Sequence, residues 1–267
     1  MKTPLFASVL LSGTILYSSP LYAACTPAPD CASLGYTKDV SQCAGAALKC
    51  PWDMTKAACK EKAQEASLSV LYGDGTVSKE IITGKTPIGI VFDTDNRLAV
   101  ALTDVKKDGT AGSEQMQWSS IKCDIPGLQN CKYPDIRDGL NLTPITCGVD
   151  GRLNTNAILA NTCSGTTYAA TAANNYQPAG CAKDFCKRSK WFIPSMRNFQ
   201  DMYLQKTHIE NLLVRLNVLE VNALGVKVYW SSTESGKDAE WTTRMEEGTG
   251  HSYDKRSSAY LRPVLAY

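Results

Sequence analysis

The chain of 267 residues has no surplus of either charge: 28 Lys and Arg stand against 26 Asp and Glu, a formal net charge of +2. So even a balance gives no general pull toward nucleic acid or an anionic membrane, and no nucleic-acid partner is expected. KDFCKRSK (183–190) sets four cations around one acid and reads as a solvated loop. Histidine is almost missing, with only His208 and His251, and no GxSxG elbow occurs, so no nucleophilic constellation is visible. No CxxC is present, which removes a zinc ribbon and a thioredoxin-like redox pair. Sequence repeats and low-complexity tracts are absent. Beyond the N-terminal segment, no run approaches the roughly 20 apolar residues that a membrane helix needs.

Four stretches imitate functional motifs and fail on chemistry. Gly84-Lys85-Thr86 resembles a phosphate loop, but Lys79 occupies the first glycine position and Pro87 forbids the following helix. Gly236-Lys237 has Ser231 and Asp238 where a glycine and a magnesium-binding hydroxyl belong. Asp93, Asp95 and Asp104 have calcium-loop spacing, yet Arg97 and Leu98 replace an oxygen ligand and the turn glycine. Glu246 and Glu247 are adjacent and diverge, a poor glycosidase pair. The expectation is no enzyme, no metal and no cofactor.

What is present begins with Lys2, the apolar run LFASVLLSGTILY, and small residues up to Ala24, the order of a secretory signal peptide. Residues 1–24 are therefore read as cleaved, leaving 243 in an exported protein of the periplasm, cell surface or exterior. Eleven cysteines in such a chain imply a disulfide framework. Cys31, Cys43, Cys50 and Cys59 form one even group, and Cys123, Cys131, Cys147, Cys163, Cys181 and Cys186 another. Cys25 is left over, a candidate for lipidation, an intermolecular bridge or a free thiol.

Residues 25–60 are too short to bury a sufficient core and read as a disulfide-stapled module, with 61–67 as linker. From Leu68 the pattern becomes that of a folded domain, 68–267. Ile88–Phe92 and Leu98–Leu102 flank the turn DTDN and predict a hairpin. Residues 104–151 read as long loops pinned by disulfides. A helix is expected from Asn154 or Thr155 to the break at 163–165, with a second piece over Thr167–Tyr176. Another starts after Pro194 with Ser195 as N-cap, its apolar residues recurring at helical spacing from Met196 to Leu216. The class is α+β.

VYWSSTESGKDAEW (228–241) is read as strand, polar loop and strand. Trp230 and Trp241 are either core indoles bonded to loop carbonyls or ligand contacts. The loops Ser231–Asp238 and Glu246–Arg256 form the candidate ligand surface, with Ser232, Glu234, Trp241, Arg244 and Tyr253 as its residues.

KWFIPS (190–195), VYWSSTES (228–235), Trp241 and YLRPVLAY (260–267), in that order, resemble the Lcl C-terminal domain family, which is akin to the FISUMP (Fibrobacter succinogenes major paralogous) domains. YGDGTVSK, GKTPIGIVFD, RLAVALTD and DGRLNT resemble its opening strands and first turn, so the likeness covers about 68–267. It implies a C-type lectin-like fold with a hairpin-based antiparallel sheet, two main helices and long loops. It also implies adhesion or glycan contact outside the cell rather than catalysis. Asn198-Phe199 stands where the family has Glu-Leu, which weakens the expected capping box. The EPN- and WND-type calcium and sugar signatures of animal C-type lectins are missing, so calcium-dependent sugar binding does not carry over. The expected function is a surface or secreted binding module, with glycan, surface polymer or other envelope proteins as partners. The alternative is a structural part of a surface assembly, cross-linked or anchored through the Cys-rich N-terminus.

Overall fold

The computed structural model describes residues 68–267, apart from 134, 135, 137–139, 141–143, 162 and 219–222. The signal segment, Cys25 and the bridges expected from Cys31, Cys43, Cys50 and Cys59 lie outside the described residues.

β-branched and apolar runs form the strands. β1 (Ser69–Tyr72), β2 (Val77–Ser78), β3 (Pro87–Asp93), β4 (Leu98–Ala101), β6 (Trp191–Phe192) and β11 (Val264–Ala266) build a sheet ordered β2-β1-β3-β4-β11-β6. Every ladder in it is antiparallel. The expected hairpin is β3–β4; Asp93 Oδ1 accepts from the Asn96 amide at 3.0 Å, and Arg97 takes the left-handed conformation (φ 55°) that closes the turn. β5 (Met116–Gln117) pairs with β10 (Ser258–Ala259), and β7 (Val228–Gly236), β8 (Ala239–Arg244) and β9 (Thr249–Asp254) form a second antiparallel sheet.

Period-2 alternation sends the large sheet's side chains into two cores. Val70, Tyr72, Ile90, Phe92, Val100 and Val264 face one, shared with Phe199, Met202 and Trp241. Leu71, Val91, Ala99, Ala101 and Leu265 face the other, shared with Trp118, Trp230 and the alanines Ala169, Ala170, Ala172 and Ala173. The alanines have no bulk, so their helix can lie close against β5 and β6.

The first expected helix and its second piece are both present, and the helix expected after Pro194 is a pair of shorter ones, giving four α-helices among the described residues. The first two are α1 (Gly151–Ala160) and α2 (Tyr168–Asn175). α1 starts before Asn154 because Asp150 is its N-cap, with Oδ1 accepting from the Arg152 and Leu153 amides at 3.0 Å each. The pair after Pro194 is α3 (Met196–Tyr203) and α4 (Lys206–Arg215). Ser195 caps α3 as expected, and the capping box is complete despite Asn198, whose short amide reaches the Ser195 amide at 3.0 Å. Helical periodicity continues across Leu204 and Gln205, but the helix does not. A bulge between Val91 and Asp93 takes Phe92 out of the ladder, and the buried Gln205 amide donates to its carbonyl at 2.6 Å.

The loops are pinned as expected. Cys123–Cys163, Cys131–Cys147 and Cys181–Cys186 are bridged, with Cα separations of 6.4, 5.7 and 5.7 Å. Among the described residues no helix is long and apolar enough to cross a membrane.

Candidate functional site

The polar run of the 228–241 segment is strand, not loop. β7 continues to Gly236, and Ser231, Ser232, Thr233 and Glu234 are all buried. A polar strand can be buried only if its side chains find partners. Ser231 Oγ donates to the Trp241 carbonyl at 2.7 Å, and Ser232 Oγ accepts from Asn154 Nδ2 at 3.3 Å. Thr233 Oγ1 accepts from the Met196 amide at 2.9 Å and donates to the Gly148 carbonyl at 3.2 Å. The hydroxyls thus fasten β7 to α1 and to the start of α3. Trp230 Nε1 donates to the Met116 carbonyl at 2.7 Å and Trp241 Nε1 to the Cys131 carbonyl at 2.8 Å, the core alternative for both indoles.

Two buried ionic clusters lie behind these motifs. Asp104, from RLAVALTD, accepts from Arg262 Nε and Lys227 Nζ, each at 2.7 Å. Arg262, from YLRPVLAY, also donates to the Ala101 and Leu102 carbonyls at 3.1 and 2.8 Å. In the other cluster, Lys255 pairs with Glu234 and lies 3.5 Å from Glu240 Oε1, all three side chains being fully buried. Burial pushes both carboxyls up, Glu240 far above the usual range, against the opposing pull of Lys255.

These contacts redistribute the five expected ligand residues. Ser232 and Glu234 are inside the fold. Trp241 pairs with Ser252 and Glu240 with Tyr253 in the β8–β9 register, so Trp241 and Tyr253 emerge on opposite faces of the sheet. Trp241 belongs to the first core, while Tyr253 packs against the second and meets Trp230 edge to face at 6.4 Å. Arg244 is held by Glu247 in its own turn at 2.9 Å. They are not one surface.

One of them, Trp241, borders a shallow groove of about 390 Å³ with Lys132, Tyr133, Ser235, Gly250, His251 and Ser252. Tyr133 is 58 % exposed. The backbone that carries it is held from several sides: the Cys131 amide donates to the Glu234 carbonyl at 2.8 Å, Cys131 is bridged to Cys147, and Lys132 Nζ donates to the Ser235 carbonyl at 2.8 Å. Ser235 and Ser252 share a hydroxyl hydrogen bond of 2.6 Å, and His251 Nε2 meets Thr249 Oγ1 at 3.0 Å. Tyr133 is not among the residues that the sequence singles out; its local signal is an aromatic two residues after a cysteine.

A larger cleft of about 660 Å³ lies between the β3–β4 turn and the starts of α1 and α3, lined by Asp93, Asp95, Asp150, Arg152, Arg197 and Asp201 among others. Its charges largely answer one another. Asp150 caps α1, Asp93 holds Asn96, and Arg197 pairs with Asp201 at 3.1 Å. Among the described residues, no group of three or more His, Cys, Asp or Glu side chains has the arrangement to hold a metal ion.

No protein-family model matches the chain. No curated protein matches it. Among solved structures, a fimbrial protein from Bacteroides ovatus aligns with a TM-score of 0.45 at 13% identity, over 74% of this chain and 48% of that one. The chain thus spans about half the length of that neighbour.

Proposed function

We propose that residues 68–267 are a non-catalytic recognition module of an exported surface or secreted protein, with a C-type lectin-like fold and a glycan as ligand class. The carrying observation is the groove beside β8 and β9, where Tyr133 presents an exposed ring next to the hydroxyls of Ser235 and Ser252 and the imidazole of His251. An aromatic face with convergent donors and acceptors suits a sugar ring, which is apolar on its faces and polar around its rim. The pinned backbone supports this reading, because a preorganised site loses little freedom on binding. Three disulfides fit a protein folded in an oxidising compartment. The resemblance to the Lcl C-terminal domains points the same way.

The test is binding of the oxidised, folded protein to arrayed glycans and sulphated polysaccharides, with calcium and with chelator. Saturable, chelator-insensitive binding to one class is expected. Tyr133→Ala should weaken it about tenfold or more with an unchanged melting temperature, as for a central contact residue. Binding that survives Tyr133→Ala and His251→Ala together would remove the groove from the function.

A further inference from the structure

Lys255, in the turn after β9, sits in a compartment from which the described residues exclude water. Its side chain and those of Glu234 on β7 and Glu240 on β8 have no exposure. Nζ lies against Glu234 Oε1, 3.5 Å from Glu240 Oε1, and donates to the Cys123 carbonyl at 2.6 Å, with the Trp118 ring centred 4.8 Å away. Glu234 and Glu240 are cross-strand partners, so both carboxyls rise on one face of the sheet. Asp124 and the Ile125 amide approach Glu234, and Tyr253 is the register partner of Glu240. Among the described residues, both oxygens of Glu240 and Oε2 of Glu234 have no hydrogen-bond partner. One cation thus serves two carboxyls where an uncompensated charge is costly, and an ion pair loses much of its advantage over a neutral product.

We propose that this cluster is a self-modification site, at which Lys255 and Glu234 condense to an intramolecular amide that staples β7 to the β9–β10 turn. Glu240 is the protonated acid of the site. In the dry pocket the ammonium first returns a proton to the Glu234 carboxylate, leaving a neutral amine and a neutral acid. The Lys255 nitrogen attacks Glu234 Cδ, and the new N–C bond forms. Glu240 accepts a proton from that nitrogen on one oxygen and gives its own from the other to the departing hydroxyl. The C–O bond breaks, one water leaves, and Glu240 ends protonated as it began. No oxidant, metal or external donor is required. The neutral amide removes two buried charges at once, and the water released passes to bulk solvent. Holding the reacting groups in contact inside one fold supplies the proximity that makes such a condensation fast relative to solution.

This inference concerns the interior of the fold and does not rest on the glycan reading. The test is the mass of the full chain, exported into an oxidising compartment, purified, then denatured, reduced and alkylated at every cysteine. The wild type is expected to weigh one water less than its linear sequence. Digestion should yield a single joined species carrying the peptides of Glu234 and Lys255, with no trypsin cleavage after Lys255. Lys255→Arg and Glu240→Gln should both have the linear mass, with native circular dichroism checked for each. A wild type of linear mass, cleaved by trypsin after Lys255, overturns the proposal even if every variant misfolds. A water loss that maps within one peptide, such as an internal succinimide, overturns it equally.

Discussion

Asp104→Ala is expected to cost about 3–5 kcal/mol of stability at neutral pH, because it removes one member of a buried ion pair and leaves the other behind. Asp104 is fully buried and answers two cations, Arg262 on one oxygen and Lys227 on the other, each at 2.7 Å. Without it the guanidinium would keep its bonds to the Ala101 and Leu102 carbonyls but lose its carboxylate. These carbonyls close β4 and Arg262 leads into β11, so the loss falls where the two strands join. Urea unfolding at about pH 7 measures it, and a loss under roughly 1 kcal/mol, the range of an exposed pair, would show that solvent reaches the site.

The same pair sets an acid limit. Burial alone would raise the Asp104 carboxyl, but Arg262 and the hydrogen bonds from Lys227 and Ser113 outweigh it and hold it below the usual aspartate value. A depressed folded value means that the pair's contribution is fully present above the unfolded aspartate value, near 3.8. It is lost as pH falls from there through the folded value. Asp104→Asn should therefore be far less stable than the wild type at neutral pH, with the gap narrowing below about pH 4. A gap that stays constant on acidification would assign the effect to packing instead of charge.

Legibility of the fold in the sequence followed a physical divide. Where apolar periodicity and local turn chemistry agree, the reading matches the structure: β3 and β4 around DTDN, α2 over Tyr168–Asn175, and Ser195 as the cap of α3. It departs where a partner distant in sequence decides. Nothing local to Gln205 announces the helix break, since its amide is drawn to Phe92, 113 residues earlier. The start of α1 is a local departure: the helix begins ahead of Asn154 and Thr155 because the Asp150 carboxylate in the preceding turn accepts from the Arg152 and Leu153 amides. The polarity of SSTE predicts a solvated loop; in the fold those hydroxyls meet Asn154, Met196 and Gly148 and the carboxyl meets Lys255. The motifs that carried the family resemblance follow the same rule. Trp191, Ser195, Trp230, Glu234, Trp241 and Arg262 are all buried, so these motifs mark chiefly the framework of the domain; they lend the groove Ser235 and Trp241, while the exposed Tyr133 lies in none of them.

That distinction gives opposite expectations for two aromatic neighbours. Trp241→Ala should destabilise the fold by about 3–5 kcal/mol, the range for emptying a large aromatic site. Trp241 is 4 % exposed and belongs to the core that includes Ile136, Met196 and Met245, so truncation leaves a cavity in that core. The Cys131 carbonyl would also lose its indole donor, a further cost for a buried acceptor. For a domain of about 200 residues this corresponds to a fall of roughly 6–20 °C in melting temperature. Tyr133 shares the same groove but keeps more than half its surface in solvent, so Tyr133→Ala should leave the melting temperature near that of the wild type. Thermal unfolding of the two variants side by side checks both. If Trp241→Ala melts like the wild type and loses ligand, the indole faces the ligand and the core assignment fails. If Tyr133→Ala also unfolds, the groove is part of the framework and the proposed recognition role loses its site.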